Sequence, residues 1–214
     1  MKKSGDNMKV SVSILKEYDR LIRAVNKVNE SKADFLHIDV MDGKFVDNEK
    51  FPYEVAKDII SISKKKIDMH LMVQDKRTIK KYAELLPDYL TFHVEVIEDN
   101  KIIEYVKSLG IKVGLAINPR TSEEKLIPYL NNIDLILFMS VNPGRGGQKF
   151  KEEVVEKIRR IKKKVPSNVI ISIDGGVNNE TVSLCKYAGC DMVVAGAYIT
   201  SSENYNDKIE ELCK

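Results

Sequence analysis

The segment Leu135-Ile136-Leu137-Phe138-Met139-Ser140-Val141-Asn142-Pro143-Gly144-Arg145-Gly146-Gly147-Gln148 contains the repeat unit of this chain in its clearest form. A short, continuously apolar run is broken by asparagine, proline and glycine, and an amphipathic segment follows at 151–165. A run apolar on both faces suits a strand of a parallel sheet, with the next helix covering one of those faces. The same unit occurs eight times. Apolar runs lie at 9–15, 35–40, 67–71, 89–93, 112–117, 135–140, 169–174 and 192–195. Helical patterns alternate with them at 19–29, 53–63, 77–85, 100–109, 122–130, 151–165, 179–188 and 205–213. Gly110 and Gly189 directly follow two of these helices, and Ser122 and Asn178 or Asn179 stand at helix starts, the residue types that stop and cap helices.

Strands alternating with helices imply βαβ units and a parallel sheet. Eight units close a (β/α)8 TIM barrel; an open doubly wound sheet, usually of about five or six strands, is the alternative. The barrel is favoured because the pattern runs to the C-terminal end with no linker, low-complexity segment or long charge block. The chain therefore reads as one domain over residues 1–214, with residues 1–7 a flexible polar extension.

Composition agrees. The 214 residues are 43% hydrophobic and 31% charged, as in an ordinary globular chain. No apolar run approaches the ~20 residues of a membrane helix, and the polar N-terminal residues lack a signal core. Thirty-five lysines and arginines against 32 acidic residues leave a net charge of +3, which argues against a nucleic-acid partner. Cys185, Cys190 and Cys213 follow no metal-ligand spacing and read as free thiols in a reducing, cytoplasmic setting. The basic runs 64–66 and 162–164 read as solvated helix ends.

Barrel enzymes carry their working residues at the C-terminal ends of the strands. The three histidines, His37, His70 and His93, all fall within or at the end of an apolar run. Alternation along a strand puts His37, Asp39 and Met41 on one face of the second, and Asp68, His70 and Met72 on one face of the third. The seventh ends at Asp174. A buried carboxylate must be paired, protonated or bound to a metal. Two imidazoles and two carboxylates at one rim are the ligand types of zinc, iron(II) or manganese. Glycines follow strands six, seven and eight, where barrels build phosphate sites from backbone N–H groups. Their spacing is neither a P-loop nor a dinucleotide fingerprint, so ATP and NAD are not expected.

Taken in order, these motifs resemble the ribulose-phosphate 3-epimerase family. The matching pieces are Ser13-Ile14-Leu15, the run from His37-Ile38-Asp39-Val40-Met41-Asp42-Gly43 to Val46, and His70-Leu71-Met72-Val73. Thr91-Phe92-His93, Asn118-Pro119, the run from Met139 to Gly144, Gly146-Gly147-Gln148, Asp174-Gly175-Gly176 and Val194-Ala195-Gly196 complete them. The resemblance implies a barrel epimerase acting on a small phosphosugar. It would interconvert D-ribulose 5-phosphate and D-xylulose 5-phosphate, a step of the pentose phosphate pathway, by two-base proton transfer at C3 through an enediolate. The resemblance also implies a cytoplasmic homo-oligomer.

By the same resemblance, His37, Asp39, His70 and Asp174 are the ligands of one divalent ion, zinc first, with iron(II), manganese or cobalt as alternatives. Asp39 and Asp174 are also the acid–base pair. Ser13 and His70 contact the sugar, and Met41, Met72 and Met139 line the reaction centre. Gly144, Gly146, Gly147, Gly175, Gly176 and Gly196 form the phosphate cradle, with Arg145 and Ala197 beside them. Inverting a carbon next to a ketone needs a base on each face, and two carboxylates from separated strands meet that need. Metal assistance makes such weak bases adequate.

Four features depart from the family pattern. Arg145 stands where an apolar aromatic is usual, Ala197 replaces a small hydroxyl residue, Lys16 replaces a small polar one, and 47–51 replaces a proline-rich loop. They leave 3-epimerisation of a six-carbon ketose phosphate such as allulose 6-phosphate as an alternative. A lyase or decarboxylase on a similar barrel should carry a lysine among the rim carboxylates, and none ends strands two, three or seven. A non-catalytic phosphosugar-binding barrel should lack one of the two aspartates.

Overall fold

Eight parallel strands follow one another around a ring: β1 (Lys9–Ser13), β2 (Phe35–Asp42), β3 (Lys66–Met72), β4 (Tyr89–His93), β5 (Lys112–Ile117), β6 (Leu135–Met139), β7 (Ile170–Asp174) and β8 (Met192–Ala195). This computed structural model describes residues 8–214, so the extension expected at 1–7 lies outside the described residues. The ring closes because β1 bonds on both sides. Val10 and Val12 face Val193 and Ala195 of β8, while Ser11 and Ser13 face Phe35 and His37 of β2. An open sheet would leave β1 with a free edge, so the structure settles for the barrel.

The outer layer consists of α1 (Leu21–Glu30), α2 (Tyr53–Ile62), α3 (Lys76–Ala83), α4 (Lys101–Ser108), α5 (Glu153–Lys162), α6 (Val182–Ala188), the short α7 (Ala197–Thr200) and α8 (Tyr205–Cys213). Between β5 and β6 the expected α-helix is a 3-10 helix, Glu123–Tyr129. Pro128 inside it has no N–H to donate and cannot extend an α-helical ladder. Its start is capped, with Ser122 Oγ accepting from the Glu124 N–H. Asn178 Oδ1 accepts from the Glu180 and Thr181 N–H groups ahead of α6, and Gly189 ends α6 in the left-handed conformation. Three elements have no counterpart in the sequence pattern: α7, the 3-10 turn Val94–Val96, and a two-residue strand, Glu49–Lys50, antiparallel to the end of β2.

Strand alternation divides the core. Outward side chains such as Val10, Leu36, Ile38, Leu71 and Phe92 pack under the helices. Inward, the first residues of β2, β4, β6 and β8 (Phe35, Tyr89, Leu135 and Met192) form an apolar plug, one layer drawn from alternate strands. Above it Ser11, His37, Asp68, His70, Thr91 and Ser172 bring buried polar groups inward, while Ala116, Leu137, Met139 and Val194 continue the apolar side. Among the described residues no helix is long and apolar enough to cross a membrane. Cys185, Cys190 and Cys213 are free, and burial pushes the Cys185 thiol up to about 12.

The interior is filled tightly enough to dictate residue size. A Cβ on Gly114 of β5 would lie 2.2 Å from Thr91 Oγ1 on the neighbouring strand. Gly114→Ala is therefore expected to destabilise the barrel by about 1–3 kcal/mol through overpacking. Urea denaturation measures this, and an unchanged midpoint would show that the interior has room to spare.

Candidate metal centre and phosphate cradle

Parity places the polar groups. His37 and Asp39 lie two apart on β2, and register sets Asp39 opposite His70 on β3. Asp174 closes β7, with Met139 of β6 opposite it. The result is a cluster: one ligand atom from each of His37, Asp39, His70 and Asp174 lies within 4.8 Å of the others. Asp39 Oδ1 is 3.3 Å from His37 Nε2 and 3.4 Å from His70 Nδ1. These two nitrogens are buried and have no hydrogen-bond partner. Leaving such an atom unpaired costs about 1–3 kcal/mol, so two of them beside two carboxylates form a donor set suited to a divalent cation.

Behind this cluster Asp68 and Ser13 hold two of its members in place. Asp68 Oδ2 accepts from His37 Nδ1–H at 2.8 Å and from the Ser11 hydroxyl at 2.8 Å. A carboxylate can only accept, so His37 donates from Nδ1, and neutral His37 would then turn the lone pair on Nε2 to the cluster. The Ser13 hydroxyl donates to Asp39 Oδ2 at 2.7 Å and takes the Leu15 N–H at 3.3 Å, which leaves Asp39 Oδ1 for the imidazoles.

The protein's own groups drive the acids and imidazoles apart in proton affinity. Burial favours a neutral Asp39, but the His37 and His70 imidazoles beside it outweigh that and hold this carboxyl well below the usual range. Burial and the nearby Asp39 carboxylate push Asp174 up to about 7, against an opposing pull from His37. Burial also lowers His70 to about 4, while on His37 it is overcome by the carboxylates of Asp39 and Asp68, which raise it.

Asp39 and Asp174 open into one cavity of about 560 Å³. Ser13, Met41, Met72 and Met139 line it next to them. Gly144, Arg145, Gly146 and Gly147 form its other wall, with Gly175, Gly176, Gly196 and Ala197 completing it. His37 and His70 stand behind this lining. The glycine loop and the turn after β7 touch through their backbones: a Cβ on Gly176 (φ 63°) would lie 2.5 Å from Phe150 N and 2.8 Å from Gln148 O. Gln148 Nε2 donates to the carbonyls of Asn142 and Arg145, each at 2.7 Å, and Asn48 Nδ2 donates to Gly144 O at 2.7 Å. In α7 the Ile199 and Thr200 N–H groups bond to Gly196 O, so the helix start has those of Ala197 and Tyr198 to offer.

Three participants escaped the sequence reading. Lys16 had been noted only as an unusual residue. Its side chain runs along the glycine loop, and Cβ atoms on Gly146 and Gly147 would meet its Cγ at 3.3 Å and Cε at 3.0 Å. Ser11 supports Asp68, and its position two before Ser13 on β1 was the available signal. Glu95 accepts at 3.2 Å from His93 Nδ1, and His93 Nε2 lies 3.0 Å from His70 Nε2.

Comparison with known proteins places the chain in a family. The model of the ribulose-phosphate 3 epimerase family matches residues 9–200. The ribulose-phosphate 3-epimerase of Helicobacter pylori is 37% identical over 211 residues, covering 96% of each chain. That of Bacillus subtilis is 34% identical over 212 residues, covering 96% of this chain and 98% of its own. Among solved structures, KGPDC from Streptococcus mutans aligns with a TM-score of 0.67 at 16% identity, over 96% of this chain and 95% of that one. Orotidine 5'-phosphate decarboxylase from Pyrococcus horikoshii OT3 aligns at 0.66 and 15%, over 95% and 96%. At those identities the likeness concerns the barrel alone. Matched from its first strand to the short helix after its eighth, and more than one third identical to the H. pylori protein over nearly all its length, the chain belongs to the ribulose-phosphate 3-epimerase family.

Proposed function

We propose that this chain interconverts D-ribulose 5-phosphate and D-xylulose 5-phosphate, with Asp39 and Asp174 exchanging the C3 proton on opposite faces of the sugar. The observation that carries this is the approach of Asp39 and Asp174 from the non-adjacent strands β2 and β7. Their oxygens come within 4.8 Å while both open into one cavity. Epimerisation next to a ketone requires removal of a proton from one face of a carbon and delivery to the other. Groups borne by separate strands of a rigid barrel can flank a planar enediol without either having to move far.

Each neighbouring residue has a task in this scheme. His37 Nε2, His70 Nδ1, Asp39 and Asp174 would hold one divalent cation, zinc first and iron(II), manganese or cobalt as alternatives. When bound, it supplies Lewis-acid polarisation of the substrate oxygens. The Ser13 hydroxyl holds one Asp39 oxygen and so orients the other. Met41, Met72 and Met139 present thioethers beside the reacting carbon and exclude water from it. The glycine loop, the Gly175–Gly176 turn and the start of α7 offer backbone N–H groups to the phosphate, with Lys16 and Arg145 adding positive charge at that end. We extend the proposal to a single-domain, cytoplasmic homo-oligomer, on the strength of family membership.

Asp39 has the His37 and His70 imidazoles as its neighbours rather than a lysine, which weighs against the lyase and decarboxylase alternative. Both aspartates are present, which weighs against a barrel that only binds.

Asp39→Asn and Asp174→Asn should each lower kcat by about 10²–10⁴-fold, the usual scale for general acid–base groups. Calorimetry should still detect phosphosugar binding to both variants. Near-normal turnover by either one would contradict the two-base scheme. Treatment with a strong chelator should abolish turnover, and zinc, iron(II), manganese or cobalt added singly should restore it. Full activity after the metal has been removed would overturn the ligand assignment. Assaying allulose 6-phosphate in parallel separates the five-carbon from the six-carbon reading.

A further inference from the structure

We infer that Glu95, acting through His93, fixes which nitrogen of His70 carries the lone pair, so that Nδ1 is bare toward the metal centre. The inference rests on the reading of His70 as a ligand and explains two residues that the epimerase scheme leaves without a task.

The chain of contacts is continuous. Glu95 lies in the 3-10 turn Val94–Val96 directly after β4, and His93 is the last residue of that strand. Glu95 Oε2 is 3.2 Å from His93 Nδ1, and His93 Nε2 is 3.0 Å from His70 Nε2. His70 Nδ1 is 3.4 Å from Asp39 Oδ1 and has no hydrogen-bond partner. A nitrogen–nitrogen hydrogen bond contains one proton, and its direction is not set by the two rings themselves. The carboxylate sets it. Glu95 can only accept, so it keeps the His93 proton on Nδ1. Neutral His93 then has its lone pair on Nε2 and accepts from His70 Nε2–H. Neutral His70 is left with its lone pair on Nδ1, facing Asp39. In the opposite arrangement His93 Nε2–H donates to His70 and the His70 proton moves to Nδ1, where it would block coordination.

The outer end of the relay is anchored. Glu95 Oε1 accepts the Asn118 N–H at 2.9 Å. The loop that starts there is held by the buried Lys157 of α5, whose ammonium donates to the carbonyls of Asn118 (3.1 Å), Pro119 (2.6 Å) and Thr121 (2.6 Å). On the other side the Phe45 ring lies 4.4 Å from the His93 ring, centroid to centroid, and limits its rotation. His37 receives the same service directly from Asp68 through one hydrogen bond. His70 turns its other nitrogen to the cluster, so the carboxylate that directs it must act one ring further away. Glu95 and His93 are thus positioning residues that touch no substrate.

The test reads the tautomer and the metal separately. In the metal-free wild-type protein, ¹⁵N-imidazole NMR should show His70 bare at Nδ1 and protonated at Nε2, and His93 protonated at Nδ1 and bare at Nε2. A proton on His70 Nδ1, or a doubly protonated His93, would overturn the relay whether or not any variant folds. Competition with a chromophoric chelator measures cobalt(II) affinity, and Glu95→Gln should lower it by about 10- to 100-fold, since its amide donates as readily as it accepts. His93→Gln supplies a carbonyl that can itself accept from His70, so Glu95→Gln added to that background should cost little more, a non-additive cycle. Equal cobalt affinity in wild type and Glu95→Gln, with affinity lost in His37→Ala, would refute the relay while leaving the metal centre intact. Failure of the wild type to bind cobalt, with the tautomers as stated, would instead refute the metal centre.

Discussion

Buried polar groups at one end of a barrel are the constraint on which this structure depends. Moving an acid or an imidazole out of water costs several kcal/mol unless partners replace the lost hydration. Here five such residues, His37, Asp39, Asp68, His70 and His93, are buried together inside the ring of strands. Most of their polar atoms are answered within the protein: Asp68 by Ser11 and His37, Asp39 by Ser13, His70 by His93. The two that are not, His37 Nε2 and His70 Nδ1, lie beside the same oxygen of Asp39. Thr91 Oγ1 and Ser172 Oγ inside the ring also lack partners, but only the two nitrogens converge on one carboxylate oxygen, as ligands of a cation would.

The barrel makes this possible because its geometry is stiff. The apolar plug of Phe35, Tyr89, Leu135 and Met192 fills the interior below the polar groups. The strands bring Asp39 and Asp174 in from different sectors of the ring, and the glycine-rich turns after β6, β7 and β8 form a second wall at the same rim. The orotidine 5'-phosphate decarboxylase of Pyrococcus horikoshii shares this architecture at 15% identity, so the fold alone says little about the reaction. What distinguishes this chain is which side chains stand at the strand ends.

Much of this was legible in the sequence because strands have a period of two. That period alone put His37 with Asp39 and Asp68 with His70, and the boundaries of β4, β5, β8 and α8 fell where the pattern placed them. What escaped depended on contacts between distant segments. The strand Glu49–Lys50 exists because it lies against Met41 and Asp42, not because two residues have strand character. The 3-10 geometry of Glu123–Tyr129 was available from Pro128 and was passed over for an amphipathic pattern. Glu95 follows a strand end and looks like any loop acid; only the folded barrel shows that it reaches His93. Lys16 departs from the family pattern in the sequence, but only the fold lays its side chain along the glycine loop.

The fate of the hydrogen at C3 tests two-sided proton exchange most directly. D-Ribulose 5-phosphate would be supplied in D₂O and the first product formed analysed by mass spectrometry and NMR. Two acids on opposite faces require that D-xylulose 5-phosphate carry deuterium at C3 from the earliest turnovers, because the proton it receives comes from the group that did not remove the first one. Product retaining a substantial share of the original hydrogen would mean that one group serves both faces, and the assignment of Asp39 and Asp174 as partners would be wrong.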